Sequence, residues 1–505
     1  KANSGPADNI PIRADQSTAP LSQMQERVWF LENLTPGTVV HSIPTGHRLL
    51  GPLDVEAFNQ AWHMLIQRQS IFRTVVERTP NGDVQRILPN IPFNLLPYDD
   101  LSHLPEAERK PTMNKIIAEL VETPYNPEKA PLFTARLFRL SPEEHGLLFQ
   151  AHHLIWDAWS FDLLYVDLPE LYAACLEKRE PKLPPLTVSY GDFAAWHNEW
   201  MTGPELQRQL GYWREQLTPL PPNIELPLDH PRPPTMSGRG GSFQFNLAKD
   251  VTDALRAQAQ QQGRTLYITL LALHRASKQD DFVIGTPVRG REQPALENLM
   301  GFFVNMLPLR MQPRADMTMQ AWLASVHRKV VDAFSYPDVP FDHLVHVMQV
   351  PRDYSRPPIH QVSFSYQDVR ERTTRWGNVD HQRMATPMLG AAQDLALWCV
   401  ETRNHIEFVF TFNADILETA SVASFAADLE NLLREIVTDP DRPLSGYTFQ
   451  APANSNSPAN QASLPAPASK ASATASEGNL ITLLRQQAHA TSKAIALSQT
   501  GERAY

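Results

Sequence analysis

Cysteine is nearly absent. Cys175 and Cys399 are the only two in 505 residues, too few for a disulfide framework, and they fit a reducing compartment. The opening Lys1-Ala2-Asn3-Ser4-Gly5-Pro6 has no apolar run of signal-peptide type, and no stretch stays apolar for the roughly 20 residues that a membrane span requires. A cytoplasmic location without a membrane partner is therefore expected. Basic residues are also in deficit: 45 Lys and Arg face 55 Asp and Glu, a formal charge of -10. That balance argues against nucleic acid or an anionic membrane held by bulk charge, and leaves only local basic patches open. What is present is ordinary globular material. With 42% hydrophobic and 20% charged residues the chain can build cores, and its length suggests two or three domains.

Chemistry is densest at Ala151-His152-His153-Leu154-Ile155-Trp156-Asp157-Ala158-Trp159-Ser160. Gly146 to Gln150 reads as a buried strand. Phe161, Leu164, Tyr165, Leu168, Leu171, Tyr172 and Cys175 then recur at helical spacing. Two histidines thus end a strand, and an aspartate sits in the loop entering a helix. Side chains alternate along a strand, so His152 shares a face with Leu148 and Gln150, and His153 with Leu147, Phe149 and Ala151. The two imidazoles cannot both face one cleft. One base with a supporting partner, two satisfied core groups, and a metal site are all open from these residues alone. Opposed directions and the lack of a second Cys/His cluster weigh against the metal.

Composition divides the rest of the chain. Residues 1–20 are polar and proline-punctuated and read as a linker. Ser22 then caps a helix with Met24, Val28, Trp29, Leu31 and Leu34 on its apolar side. A helix over Val55 to Gln69 precedes an alternating strand at Phe72 to Val76 and a hairpin turn at Asn81-Gly82. Prolines and glycines crowd residues 218–241, the expected crossing between a first lobe over 21–217 and a second over 242–450. The second half again alternates strands and helices, among them a helix from Asp250 to Gln262 and a last one from about Ser421 to Ile436. Residues 451–476 are Ala, Pro, Ser and Asn with no aromatic residue, a flexible linker by composition. Residues 477–505 resume periodicity.

The motif His152-His153-Leu154-Ile155-Trp156-Asp157-Ala158-Trp159-Ser160 resembles the HHxxxDGWS signature of condensation domains from nonribosomal peptide synthetases, with Ala158 where the family usually has glycine. Further segments resemble that family in order. Ser22 to Leu31 is similar to its SxAQxRLWxL opening, and Tyr190 to Trp196 to YxDFAxW. Ile284 to Arg291 is similar to GTPVxGR, and Gly301 to Arg310 to GFFVNxLPLR. Two later segments, Tyr336 to Val345 and Arg352 to Gln367, also match. The RHExLRT segment departs: Arg68-Gln69-Ser70-Ile71-Phe72-Arg73-Thr74 lacks the His-Glu pair, and Arg73 reads as a structural ion-pair former. The helix at Thr265 to Ala276 is about one turn shorter than the family pattern. Residues 479–505 resemble the first helix and strand of an adenylation domain, so the chain looks like a fragment of a larger synthetase.

The resemblance implies an α/β fold of two chloramphenicol-acetyltransferase-like lobes in a V-shaped pseudo-dimer, with the histidines in a tunnel open at both faces. It implies amide bond formation between a donor acyl or peptidyl thioester and an acceptor aminoacyl thioester, both on 4'-phosphopantetheine arms. The partners implied are an upstream donor carrier protein, a downstream acceptor carrier protein and a contiguous adenylation domain. No cofactor or metal is expected on the domain itself. His153 is the expected catalytic residue; His152, Asp157, Ala158, Trp159, Ser160 and Arg291 are expected to support it, with Arg291 pairing to Asp157. Asn305 and Ser363 are expected along the substrate tunnel. If Ala158 stands where a glycine conformation is needed, activity suffers. Two rivals stand beside this reading, a catalytically silent platform that recruits carriers or tailoring enzymes and a CoA-dependent acyltransferase. The histidine pair opposes a heterocyclisation domain, and Trp159-Ser160 with Gly301 to Arg310 looks less like an epimerisation domain.

Overall fold

The computed structural model describes residues 10–93, 96–262, 277–439 and 441–447. The shortened helix near Thr265, the linker over 451–476 and the adenylation-like segment 477–505 lie outside the described residues.

In the first half the elements are β1 (Thr18–Pro20), α1 (Gln23–Leu34), β2 (Ser42–Leu50), α2 (Val55–Arg68), β3 (Thr74–Thr79), β4 (Gly82–Ile87), β5 (Tyr98–Asp100), α3 (Glu106–Val121), β6 (Phe133–Ser141), β7 (Glu144–His152), α4 (Ala158–Glu177), α5 (Tyr190–Trp200) and α6 (Pro204–Leu217). The second half has β8 (Gly240–Asn246), α7 (Lys249–Gln262), β9 (Phe282–Val288), β10 (Asn305–Met311), α8 (Met319–Ala333), α9 (Phe341–Val347), β11 (Val362–Asp368), β12 (Arg375–Trp376), β13 (Val379–Met384), β14 (Leu395–Glu401), β15 (Ile406–Asn413) and α10 (Thr419–Thr438). They form two six-stranded mixed sheets, ordered β12-β13-β2-β7-β6-β5 and β10-β9-β11-β14-β15-β8, and a small β1-β4-β3 sheet.

Local chemistry sets the elements that carry the site. Ser22 caps α1 in a reciprocal box with Gln25, which satisfies two backbone donors at the helix start. Strand β7 is buried along nearly its whole length, as a central strand covered on both faces must be. Its Phe149 packs against Trp62 of α2, Phe133 of β6 and Trp156 in the following turn. That aromatic cluster clamps the turn after β7 from below. The second sheet has its own core, in which Trp213, Trp322, Phe408 and Leu432 are buried.

Four expectations from the sequence are corrected. Residues 10–20 are not linker: Ile10 is buried in the first core and β1 pairs with β4. The crossing between cores comes before 218–241, because Leu206, Leu210, Trp213 and Leu217 of α6 already pack into the second core. Residues 242–450 do not stay together either, since β13 leaves the second half to pair with β2 of the first sheet. Finally, Phe72 and Arg73 lie in a 3-10 turn ahead of β3, and Arg73 donates to the carbonyls of Leu88 (2.6 Å) and Ile66 (3.3 Å), where an ion pair was expected.

The strap made by β12 and β13 is fastened by a buried histidine pair. His47 Nδ1 lies 2.9 Å from His381 Nε2, and the Trp376 ring stacks on His381 at 4.4 Å. Burial, then Arg383 and Arg372, push His381 down to about 4, and burial with His381 and Arg383 holds His47 well below its ordinary value. Both are neutral at pH 7. An unfolded histidine, with a pKa of about 6.5, binds the proton first, so this stabilisation is complete above pH 6.5 and is lost as pH falls towards 4. His381 alone accounts for about 3 kcal/mol over that window. Urea denaturation at pH 7 and pH 4.5 should show the loss in the unaltered protein and a smaller loss in His381→Gln, which keeps a hydrogen-bonding group that does not titrate.

Candidate active site

The turn that follows β7 separates the two histidines as alternation requires. His152 is sealed inside. Its Nδ1 accepts the Leu154 N–H at 3.1 Å, so its proton is on Nε2, which donates to Glu32 Oε1 at 3.1 Å. His153 keeps part of its surface accessible although protein surrounds it. Its Nδ1 is buried without a hydrogen-bond partner, which leaves Nε2 as the nitrogen with access. The Phe302 ring lies 4.7 Å away. Burial, then the nearby His41, push the His153 imidazole down to about 4, with Asp157 pulling the other way. It is therefore neutral at pH 7 and able to accept a proton.

Glu32 and His41 were not singled out by the sequence. Glu32 looks like an ordinary polar residue of α1, and His41 stands alone before β2. In the fold, Glu32 Oε1 receives both His41 Nδ1 (2.7 Å) and His152 Nε2. Burial raises this carboxyl, but the hydrogen bonds from His152 and His41 outweigh it and hold it at about 2. The three side chains place ligand-type atoms within 4.8 Å of one another. Hydrogen bonding nevertheless argues against a metal ion: the Leu154 N–H occupies the Nδ1 lone pair of His152, so Nε2, the atom facing the cluster, carries the proton.

Asp157 is the staple of the site. It is fully buried and caps α4 by accepting the Ser160 N–H. It meets Arg291 through two contacts, Nη1 at 2.9 Å and Nη2 at 3.1 Å, and also accepts the N–H groups of Phe303 (3.0 Å) and Val304 (3.2 Å). Ser160 Oγ lies 2.8 Å from Asp157 Oδ1 and accepts from the Gly301 N–H at 3.0 Å. The start of α4 is thereby tied to the loop between β9 and β10. Asp157 is consumed by this work and offers no free oxygen to a substrate.

Ala158 is the first residue of α4, and its backbone is not among those with positive φ. The methyl therefore imposes no conformational strain here. Its N–H belongs to the helix end, where donors lack internal partners, and remains suited to a developing oxyanion. Trp159 lies under the Arg289 guanidinium at 4.8 Å and walls a cavity of about 960 Å³ beside α4. Asn305 has all its valences engaged. Its Nδ2 donates to the carbonyls of Pro337 and Val339, and its Oδ1 accepts from Met306 and Phe341. Ser363 bonds to Gln393. These two hold backbone and neighbour in place, and neither presents a free polar group.

Two α/β halves thus carry an accessible imidazole on a loop that a buried staple ties between a strand end and a helix start. The family model for the condensation domain matches residues 15–456, and the chain belongs to that family. It is 32% identical over 446 residues to a linear gramicidin synthase of Brevibacillus parabrevis, covering 86% of this chain and 6% of that one. It is 33% identical over 443 residues to phosphinothricin tripeptide synthetase PhsC of Streptomyces viridochromogenes, covering 86% and 41%. The chain thus spans less than half the length of these relatives. Among solved structures, it is similar to the X-domain from teicoplanin biosynthesis, with TM-score 0.76, 25% identity and coverage of 88% and 100%. It is also similar to the first condensation domain of the calcium-dependent antibiotic synthetase, with TM-score 0.74, 17% identity and coverage of 86% and 99%. The fold is accordingly the chloramphenicol-acetyltransferase-like α/β fold. No helix among the described residues is long and apolar enough to cross a membrane.

Proposed function

We propose that this chain joins a donor acyl or peptidyl thioester to the amine of an acceptor aminoacyl thioester within a nonribosomal, or hybrid polyketide, assembly line. Both substrates arrive on phosphopantetheine arms, the donor from an upstream carrier protein and the acceptor from a downstream one, with an adenylation domain contiguous in the chain. The domain contributes no cofactor of its own. The observation that carries this reading is the accessible Nε2 of His153, neutral at pH 7 and held beside the N-terminus of α4.

The acceptor nitrogen attacks the thioester carbon, and the carbonyl oxygen gains charge near the free N–H groups of the helix start. His153 Nε2 takes the proton lost by nitrogen as the C–N bond forms, then returns it to the departing sulfur. At a pKa of about 4 the imidazole is a weak base, so holding the amine in line is a large part of its work. His152, Asp157, Ser160 and Arg291 fix the loop that carries it. A silent recruitment platform is disfavoured because the bonds that fix the His153 loop, His152 to Glu32, Asp157 to Arg291 and Ser160 to Gly301, are in place in spite of Ala158 and the missing His-Glu pair. A CoA-dependent acyltransferase is disfavoured by the adenylation-like segment 477–505.

Loading two carrier proteins with defined donors and acceptors and reading their intact masses tests the proposal. The acceptor carrier should gain the donor's mass through an amide resistant to hydroxylamine. Absence of that product across several donor classes, with the carriers shown to be loaded, would leave the platform reading in its place.

A further inference from the structure

Building on the amide-forming reading, the His153 ring needs an orientation as well as a lone pair. An imidazole that exchanges protons through one nitrogen is ordinarily aimed by a hydrogen bond to the other. His153 lacks that restraint. Its Nδ1 meets no partner at hydrogen-bonding geometry, the Trp156 backbone acts on the ring only weakly, and Asp157, the nearby carboxylate, is engaged by Arg291. The His153 N–H donates to the His41 carbonyl at 2.8 Å, but that bond fixes the backbone and leaves the side-chain torsions open. What the ring does have is a packing neighbour. Phe302, buried in the first core, sets its own ring 4.7 Å away at a tilt of 53°.

The backbone on both sides of Phe302 is pinned. The Gly301 N–H donates to Ser160 Oγ at 3.0 Å, the Tyr190 hydroxyl donates to the Phe302 carbonyl at 2.6 Å, and the Phe303 N–H donates to Asp157 at 3.0 Å. Just upstream the loop is gripped from α2. Gln69, the buried residue that ends this helix, donates from Nε2 to the Asn298 carbonyl at 2.9 Å and accepts the Met300 N–H on Oε1 at 3.2 Å, so one amide reads a backbone acceptor and donor as a neighbouring strand would. Its Nε2 also lies 3.3 Å from Asp167 Oδ2, which Arg68 holds at 3.0 Å, and this anchors the grip to α4. Here the sequence departs from the His-Glu pair of its relatives. An amide supplies a donor and an acceptor that do not titrate, so the grip holds at every pH.

We propose that Phe302 is the positioning residue of His153, doing by ring packing what a hydrogen bond to Nδ1 would otherwise do, and that Gln69 sets it there by gripping residues 298–300. Both act through the imidazole and neither takes part in the proton transfer.

The test is a double-variant cycle on single-turnover amide formation by the full chain with loaded carriers. Phe302→Leu keeps the site apolar but removes the flat face, and should slow the reaction at saturating carriers by about 10- to 100-fold while the half-saturating carrier concentration changes by less than about twofold. In a His153→Ala background the same change should cost less than about twofold, because no ring is left to orient. Gln69→Met, which keeps the length but neither hydrogen bond, should repeat the pattern with a loss of about 3- to 10-fold. Equal losses in both backgrounds, no loss with His153 present, or a loss carried by the half-saturating concentration overturns the inference while leaving amide formation by the unaltered protein intact. If His153→Ala is no faster than the carriers alone, the split between rate and half-saturation decides by itself. Should Phe302→Leu prove unfolded by circular dichroism, Phe302→Met takes its place in the cycle. If the unaltered protein forms no amide, the amide-forming reading fails and this inference with it.

Discussion

His153→Ala is expected to slow amide formation by about 100- to 10,000-fold at every pH from 6 to 9, the range that a positioned acid–base group commonly contributes. Stability should change little. The residue keeps part of its surface accessible, its Nδ1 has no hydrogen-bond partner to lose, and the loop is held by Asp157 and the aromatic cluster below. Rates measured with loaded carriers, beside urea denaturation of the same samples, check both halves of the expectation. A folded His153→Ala protein turning over at the unaltered rate would remove this residue from the chemistry. His152→Ala should differ in kind. It strips Glu32 of one of two donors and leaves a buried carboxylate partly unsatisfied, so its activity loss should come with lost stability.

Arg291→Met should be the most destabilising single change at the site, by about 3 to 5 kcal/mol, because it leaves the Asp157 charge buried without its partner. Asp157→Ala should cost a similar amount through the Arg291 charge it strands and the Ser160, Phe303 and Val304 N–H groups it abandons. The double variant should be less destabilised than the sum of the two, since neither uncompensated charge remains. Denaturation midpoints for the four proteins measure that coupling. A well-folded, inactive Asp157→Ala protein would instead give the carboxylate a direct part in catalysis.

Much of the site was readable before the fold because its signals are local. Alternation along Gly146 to His152 set the histidines on opposite sides, and the helical spacing after Phe161 placed Asp157 at a helix start. The Arg291 partner could be named only through the ordered family segments, for its ion pair spans 134 residues of sequence. Glu32 and His41 escaped notice for the same reason. Neither has neighbours of unusual chemistry: the pairing of β2 with β7 brings His41 beside the histidines, and Glu32 reaches them from α1. The division into halves was misplaced where composition was trusted. Prolines at 219, 221 and 222 mark an irregular segment, but the core that α6 joins is decided by which sheet its apolar face meets. Ala158 posed a conformational question that a motif cannot answer, and its helical backbone resolves it.

The strap formed by β12 and β13 limits how this domain can be cut and recombined. A chimera joined within 218–241 would inherit β2 from one parent and β13 from another, so the His47–His381 contact and a five-residue register would meet as strangers. It would also strand α6 on the wrong side of the seam. A fragment ending at residue 217 would show β2 as a bare edge, open to pairing with other chains. Exchange between relatives is better served by a junction between α5 and α6, with residues 375–384 taken from the parent that supplies β2.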